Sequence, residues 1–113
     1  DEVALHAETR AIRLQDGELI ELEIAPEDAG IERAALKAVT GGDAAENAER
    51  LRALLSGGGS RPEQDIVALN TAALLLTAGK VRSLKEGAEQ ARDALLGGGA
   101  GAVLNAFVQA SRG

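Results

Sequence analysis

Three sets of acidic residues are the groups in this 113-residue chain best suited to a divalent cation: Asp1-Glu2, Glu27-Asp28, and Asp43 with Glu46. Neighbouring carboxylates in an irregular segment offer the oxygen ligands that Mg2+ takes while keeping several of its waters. Each set also has an ordinary reading. Asp-Glu pairs are commonly solvated surface. Glu27-Asp28 follows Pro26 and suits the start of a short helical turn. Asp43 and Glu46 have the spacing of a helix capping box. His6 is the only histidine, and histidine titrates near neutrality. No nucleophile stands near it in sequence, which leaves it a strand-end or loop residue. Asn70 breaks a long apolar run; an amide there could serve a site, but a hydrogen bond within a core is its commoner use and is the one expected. Gly41-Gly42 ahead of a capped helix could cradle a phosphate. The nucleotide fingerprints need more glycines after a strand, or a Lys-Ser/Thr that follows none of the glycine runs here.

Composition excludes several classes. A net charge of −6 argues against nucleic acid or an anionic membrane surface as partner. A single aromatic residue, Phe107, leaves no platform on which bases could stack. The absence of cysteine rules out a disulfide framework, a thiolate nucleophile and a zinc–thiolate centre. The longest apolar run, around Ala72 to Leu76, is too short to span a bilayer, and no secretory signal opens the chain. The apolar content is mostly Ala and Leu, so helices can approach closely but each Ala buries little area.

The elements that must carry these residues follow from periodicity and end signals. Val3 and Leu5 alternate with Ala4 and His6, a short strand pattern. From Arg10 to Ile24 the alternation is stronger and Asp16-Gly17 invites a turn. A two-residue turn would put the aliphatics on opposite faces. A three-residue loop, Gln15-Asp16-Gly17, pairs Ile12 with Ile20 and gathers Ile12, Leu14, Ile20, Leu22 and Ile24 on one buried face. The three-residue loop is therefore expected. Pro26 ends the second strand and Gly30 closes a short turn. Ile31 to Val39 reads as a weak helix. Asp43 to Ser56 reads as a well-bounded one, with Ala44, Ala48, Leu51 and Leu55 on a common face. Ser60 and Glu63 begin a further helix whose stretch from Ile66 to Ala78 is apolar nearly all round, the mark of a buried element. Ser83 and Glu86 begin the next, which presents Leu84, Ala88, Ala91 and Leu95. Gly97-Gly98-Gly99 separates it from a last helix, Ala100 to Ala110.

Beyond these patterns, Gly41-Gly42-Asp43-Ala44-Ala45-Glu46-Asn47-Ala48 with Leu51-Arg52-Ala53-Leu54-Leu55-Ser56-Gly57 resembles the C-terminal third of the anthranilate phosphoribosyltransferase family. Asp65 to Leu74 and Ala78 to Gly87 resemble that family's late helices. Asp16-Gly17-Glu18 and Pro26 to Ile31 resemble its turn and linking segment, and Asp1-Glu2-Val3 its Asp-Glu metal motif. The resemblance covers nearly all of this chain but a fraction of a family member. With a chain that opens at Asp1 rather than Met, it implies a fragment. It implies an α/β fold in the parent, a mainly parallel sheet flanked by helices, with a separate N-terminal helical domain through which homodimers form. Residues 1–113 would be the C-terminal portion of one catalytic domain, 1–24 a strand and hairpin and 26–113 helical. It also implies a cytoplasmic enzyme of tryptophan biosynthesis that joins anthranilate to phosphoribosyl pyrophosphate and releases pyrophosphate. Asp1 and Glu2 would help hold Mg2+ against the pyrophosphate. The family's glycine-rich loop, its Lys-His-Gly-Asn segment and its anthranilate-binding arginine and asparagine lie N-terminal of the resembling region. No residue here is assigned to ribose or anthranilate, and the chain alone is expected to be inactive. Two other readings stand beside this one: a related phosphoribosyltransferase-fold protein with a different substrate, and an acidic helical interaction module without catalysis.

Overall fold

The computed structural model describes residues 2–113. Its β-structure is one antiparallel hairpin, β1 (Thr9–Gln15) and β2 (Glu18–Ile24). Asp16 and Gly17 both take left-handed backbone angles, φ 52° and 81°. Two consecutive residues with positive φ make the tight turn whose twist matches that of the flanking strands. The three-residue loop is therefore wrong: Leu14 faces Leu19, Arg13 faces Ile20 and Ile12 faces Glu21. Because opposed residues share a face, Ile12, Leu14 and Leu19 lie on one side and Ile20, Leu22 and Ile24 on the other. The expected register assumed one buried face. Here Leu14 and Leu19 are 70% and 72% exposed and the turn chemistry, not burial, sets the register.

Residues 3–6 form no strand, which corrects the reading of Val3 to His6. Pro26–Ala29 is a 3₁₀ turn closed by Gly30 at φ 69°. Ile31 to Val39 is not a helix as a whole; only Leu36–Val39 makes a 3₁₀ turn. Four α-helices follow: α1 (Ala44–Leu55), α2 (Arg61–Thr77), α3 (Leu84–Leu96) and α4 (Gly99–Ser111). Asp43 and Glu46 form a full capping box on α1, as do Ser60 and Glu63 on α2. At α3 the box is half made. Ser83 Oγ accepts from Glu86 N at 3.1 Å, but Glu86 turns its carboxylate to the backbone N–H of Arg82 at 2.9 Å.

The core lies where α2 meets α3. Ala68, Leu69 and Ala72 of α2 and Ala88 and Ala91 of α3 close over Leu5, Ala29 and Ile31. Small side chains let the two helices come close: a Cβ on Gly87 would fall 2.8 Å from the Cα of Ala72. The same pair is stitched by charge. Asp65, 4% exposed, accepts from Arg92 Nη2 at 2.7 Å and from Arg61 Nε at 3.0 Å. The face expected of α3 is the one it buries. That of α1 is not: Leu54 is its buried residue and Leu51 is exposed. Although apolar on all sides, α2 buries one face only, and Leu74 is 71% exposed.

Candidate functional site

Of the two residues expected to hold a metal, Asp1 lies outside the described residues, and Glu2 is exposed at the end of the segment that leads into the core. What places that segment is an asparagine in the middle of α2. Val3 N donates to Asn70 Oδ1 at 2.9 Å, and Asn70 Nδ2 donates back to the carbonyl of Val3 at 3.0 Å. The same Nδ2 also donates to Ile66 O, one turn earlier in its own helix, at 3.0 Å. The amide thus pairs with Val3 as a neighbouring strand would. Ala4 N donates to Thr9 Oγ1 at 2.8 Å, and Ala34 N donates to Leu5 O at 3.2 Å, with the Leu5 side chain sealed in the core. Three consecutive residues after Glu2 are therefore fixed. Glu2 itself stands at the rim of a shallow groove of about 570 Å3 that Ile66, Val67, Asn70 and Leu74 help line.

The other acidic sets are engaged in structure. Asp28 Oδ2 accepts from Ala25 N at 2.8 Å, and Glu27 Oε1 accepts from Arg33 Nε at 2.8 Å. Arg33 also donates to Glu8 at 2.6 Å. Hydrogen bonds from Arg33 hold the carboxyls of both Glu8 and Glu27 below the usual glutamate range, and the two carboxylates push the Arg33 guanidinium up. Asp43 and Glu46 are spent on their cap. At the glycine pair, Gly42 N donates to Asn47 Oδ1 at 2.8 Å and Asn47 Nδ2 donates to Gly42 O at 3.0 Å, so the backbone of Gly42 is already satisfied and offers no N–H to a phosphate. Arg50 bonds Thr40 O and Glu63 Oε1, each at 2.7 Å. Glu63 is held below the usual range chiefly by the backbone N–H of Ser60, with Arg50 adding to it. His6 is exposed in a bend, in keeping with a loop role.

Asn70 and Asn47 are thus the same device used twice, a helical amide that grips both backbone groups of one loop residue. No sequence pattern singles out Asn47, and Asn70 has the placing of a core amide. The available signal is that asparagine is a poor helix-interior residue unless its side chain is given work. Among the described residues no group of three or more His, Cys, Asp or Glu is arranged to hold a metal ion. Mg2+ commonly takes one or two carboxylates and completes its shell with water and substrate phosphate. An exposed glutamate on a pinned backbone fits that sparse mode and does not fit a full protein cage.

A short hairpin followed by helices packed through small residues is consistent with a portion of an α/β domain. Residues 1–101 match the family model described as "Glycosyl transferase family, a/b domain", and the chain belongs to that family. It is 49% identical over 112 residues to the anthranilate phosphoribosyltransferase of Sorangium cellulosum, covering 99% of this chain and 32% of that protein. The crystal structure of the Thermus thermophilus anthranilate phosphoribosyltransferase superposes with a TM-score of 0.88 at 39% identity, covering 100% of this chain and 33% of that one. The Saccharomyces cerevisiae anthranilate phosphoribosyltransferase, in its complex with PRPP and Mg, gives a TM-score of 0.86 at 27% identity, over 96% of this chain and 31% of that one. The chain spans about a third of the length of these relatives.

Proposed function

We propose that this chain is the C-terminal third of an anthranilate phosphoribosyltransferase, joining the amine of anthranilate to the ribosyl carbon of phosphoribosyl pyrophosphate with release of pyrophosphate. The observation that carries the reading is likeness along almost the whole chain to enzymes of that name, at 49% identity over 99% of its residues. On this reading residues 1–113 are the last part of one catalytic domain, in a cytoplasmic homodimer that works in tryptophan biosynthesis. Asp1 and Glu2 hold Mg2+. When bound, the ion neutralises charge that builds on the departing pyrophosphate. The chain's own share is positional: α2 and the pinned residues 3–5 present Glu2 from a fixed backbone, so little freedom has to be lost as the substrate binds. The acceptor and the ribose are held by parts of the enzyme outside this chain.

A magnesium titration of the longer enzyme carrying Asp1→Ala and Glu2→Ala tests the assignment. The expected result is a raised magnesium requirement for use of phosphoribosyl pyrophosphate with an unchanged fold. An unchanged requirement removes the site. The broader family description leaves room for a different acceptor, and product analysis with anthranilate against other aromatic amines separates the two readings.

A further inference from the structure

Asn70 spends its whole amide on one loop residue and one turn of its own helix. Both backbone groups of Val3, the residue directly after the acidic pair, go to Asn70 at 2.9 and 3.0 Å. The bond from Nδ2 to Ile66 O fixes the amide's orientation, so the acceptor faces Val3 N and the donor faces Val3 O. Sixty-seven residues separate the partners, and the contact is partly buried. Asn47 grips Gly42 in the same way beside a helix cap, so the grip is a structural device in itself; what singles out Asn70 is that the residue it holds adjoins Glu2. Resting on the metal reading above, we infer that Asn70 is a positioning residue for Glu2 of the metal pair: it sets the backbone from which Glu2 projects and so sets the cation affinity of the enzyme. The groups that orient a metal's ligands commonly matter 10- to 100-fold in affinity. Here the effect passes through the main chain rather than through a bond to the carboxylate.

The test is binding of Mn2+ to the full-length protein in the presence of phosphoribosyl pyrophosphate, followed by electron paramagnetic resonance. The variants are Glu2→Gln, Asn70→Ala and Asn70→Asp. Asn70→Ala is expected to weaken Mn2+ about tenfold, to speed hydrogen exchange at the Val3 amide, and to leave the KM for anthranilate unchanged. Asn70→Asp keeps the size and the acceptor but loses the donors, and it decides the matter if the alanine variant does not fold. Its added carboxylate would by charge alone strengthen cation binding, so weaker binding reports lost positioning. If Glu2→Gln weakens Mn2+ and the folded Asn70 variants do not, the inference is overturned while the metal site stands. If Glu2→Gln leaves Mn2+ binding unchanged, the metal reading itself fails and this inference falls with it.

Discussion

Gly87 is the residue on which the α2–α3 contact turns. A methyl group there would sit 2.8 Å from Ala72 Cα and 2.9 Å from its Cβ, too close for either helix to absorb without moving. Two magnitudes compete when Gly87 becomes Ala. Helix propensity gains about 1 kcal/mol, whereas overpacking a tight core costs about 1–3 kcal/mol. The obstacle is backbone rather than the tip of a flexible side chain, so overpacking should win. Gly87→Ala is expected to lower Tm, and Gly99→Ala, where a Cβ meets nothing within 4 Å, is expected to leave it level or raise it. Thermal melts of the two side by side check the pair. Glu63 gives a prediction in pH. Its folded-state pKa is lowered from 4.5 by the Ser60 N–H and then by Arg50. The native state therefore favours the charged form, and the stabilisation is present above 4.5 and lost as pH falls through the lower folded value. Glu63→Gln should cost stability at neutral pH, and its deficit against the unsubstituted chain should shrink steadily below about pH 4.5. Denaturant melts across that range that keep a constant gap would count against it. Glu8 and Glu27 are lowered in the same direction, so the variant keeps some acid sensitivity of its own.

At the scale of elements, the hairpin makes the sharpest claim. With Asp16 and Gly17 both left-handed, Leu14 stands opposite Leu19. Their Cα protons should show a close cross-strand contact by NMR, and an Ile12–Ile20 pairing should be absent. Gly17→Val should destabilise by more than the ~1 kcal/mol of an ordinary surface change, because a β-branched residue is badly placed at φ 81°. What sequence could and could not foretell divides along the same line. Caps are local chemistry, so Asp43 with Glu46 and Ser60 with Glu63 mark the starts of α1 and α2 without any knowledge of the fold. The face of α3 was legible because its Leu and Ala positions recur every three to four residues against Lys85 and Glu89; Arg92, which the same pattern places outward, instead reaches the buried Asp65 of α2. The register of the hairpin was not, because it was inferred from which residues ought to be buried, and burial depends on what surrounds the hairpin. The buried face of α1 failed for the same reason. Asp1 and Glu2 are proposed as a site through resemblance alone, with no pattern in the residues to mark them; the clamp at Asn70 joins residues 67 apart and leaves no periodic trace.

For the molecule as a whole, two measures exceed what a chain of this size reaches on its own. Its radius of gyration is 15.0 Å, against about 13 Å for a compact domain of this length. Its accessible surface is 7714 Å2, against about 5800 Å2 for a compact monomer of 11.5 kDa. Leu14, Leu19, Leu74, Val103 and Phe107, each about 70% exposed, account for part of the surplus. They sit on the hairpin, α2 and α4 rather than in one place. Apolar surface spread over several elements is what a portion of a larger domain would present, and it supports the proposal that this chain works within one. That has a catalytic consequence. Phosphoribosyl transfer needs ribose, pyrophosphate and acceptor amine held together, and orientation supplies much of the rate. The proposed contribution of this chain is one pair of carboxylates and the backbone that aims them, which can grip a cation but cannot align two substrates. Expressed alone with magnesium, anthranilate and phosphoribosyl pyrophosphate, the chain should form no phosphoribosyl anthranilate, while the longer enzyme does. It should also bind a hydrophobic dye such as ANS more strongly, mole for mole, than the longer enzyme. Dye binding no greater than the enzyme's would contradict the argument from surface. Turnover by the isolated chain would contradict the argument from chemistry, and would move the substrate-holding groups onto residues described here.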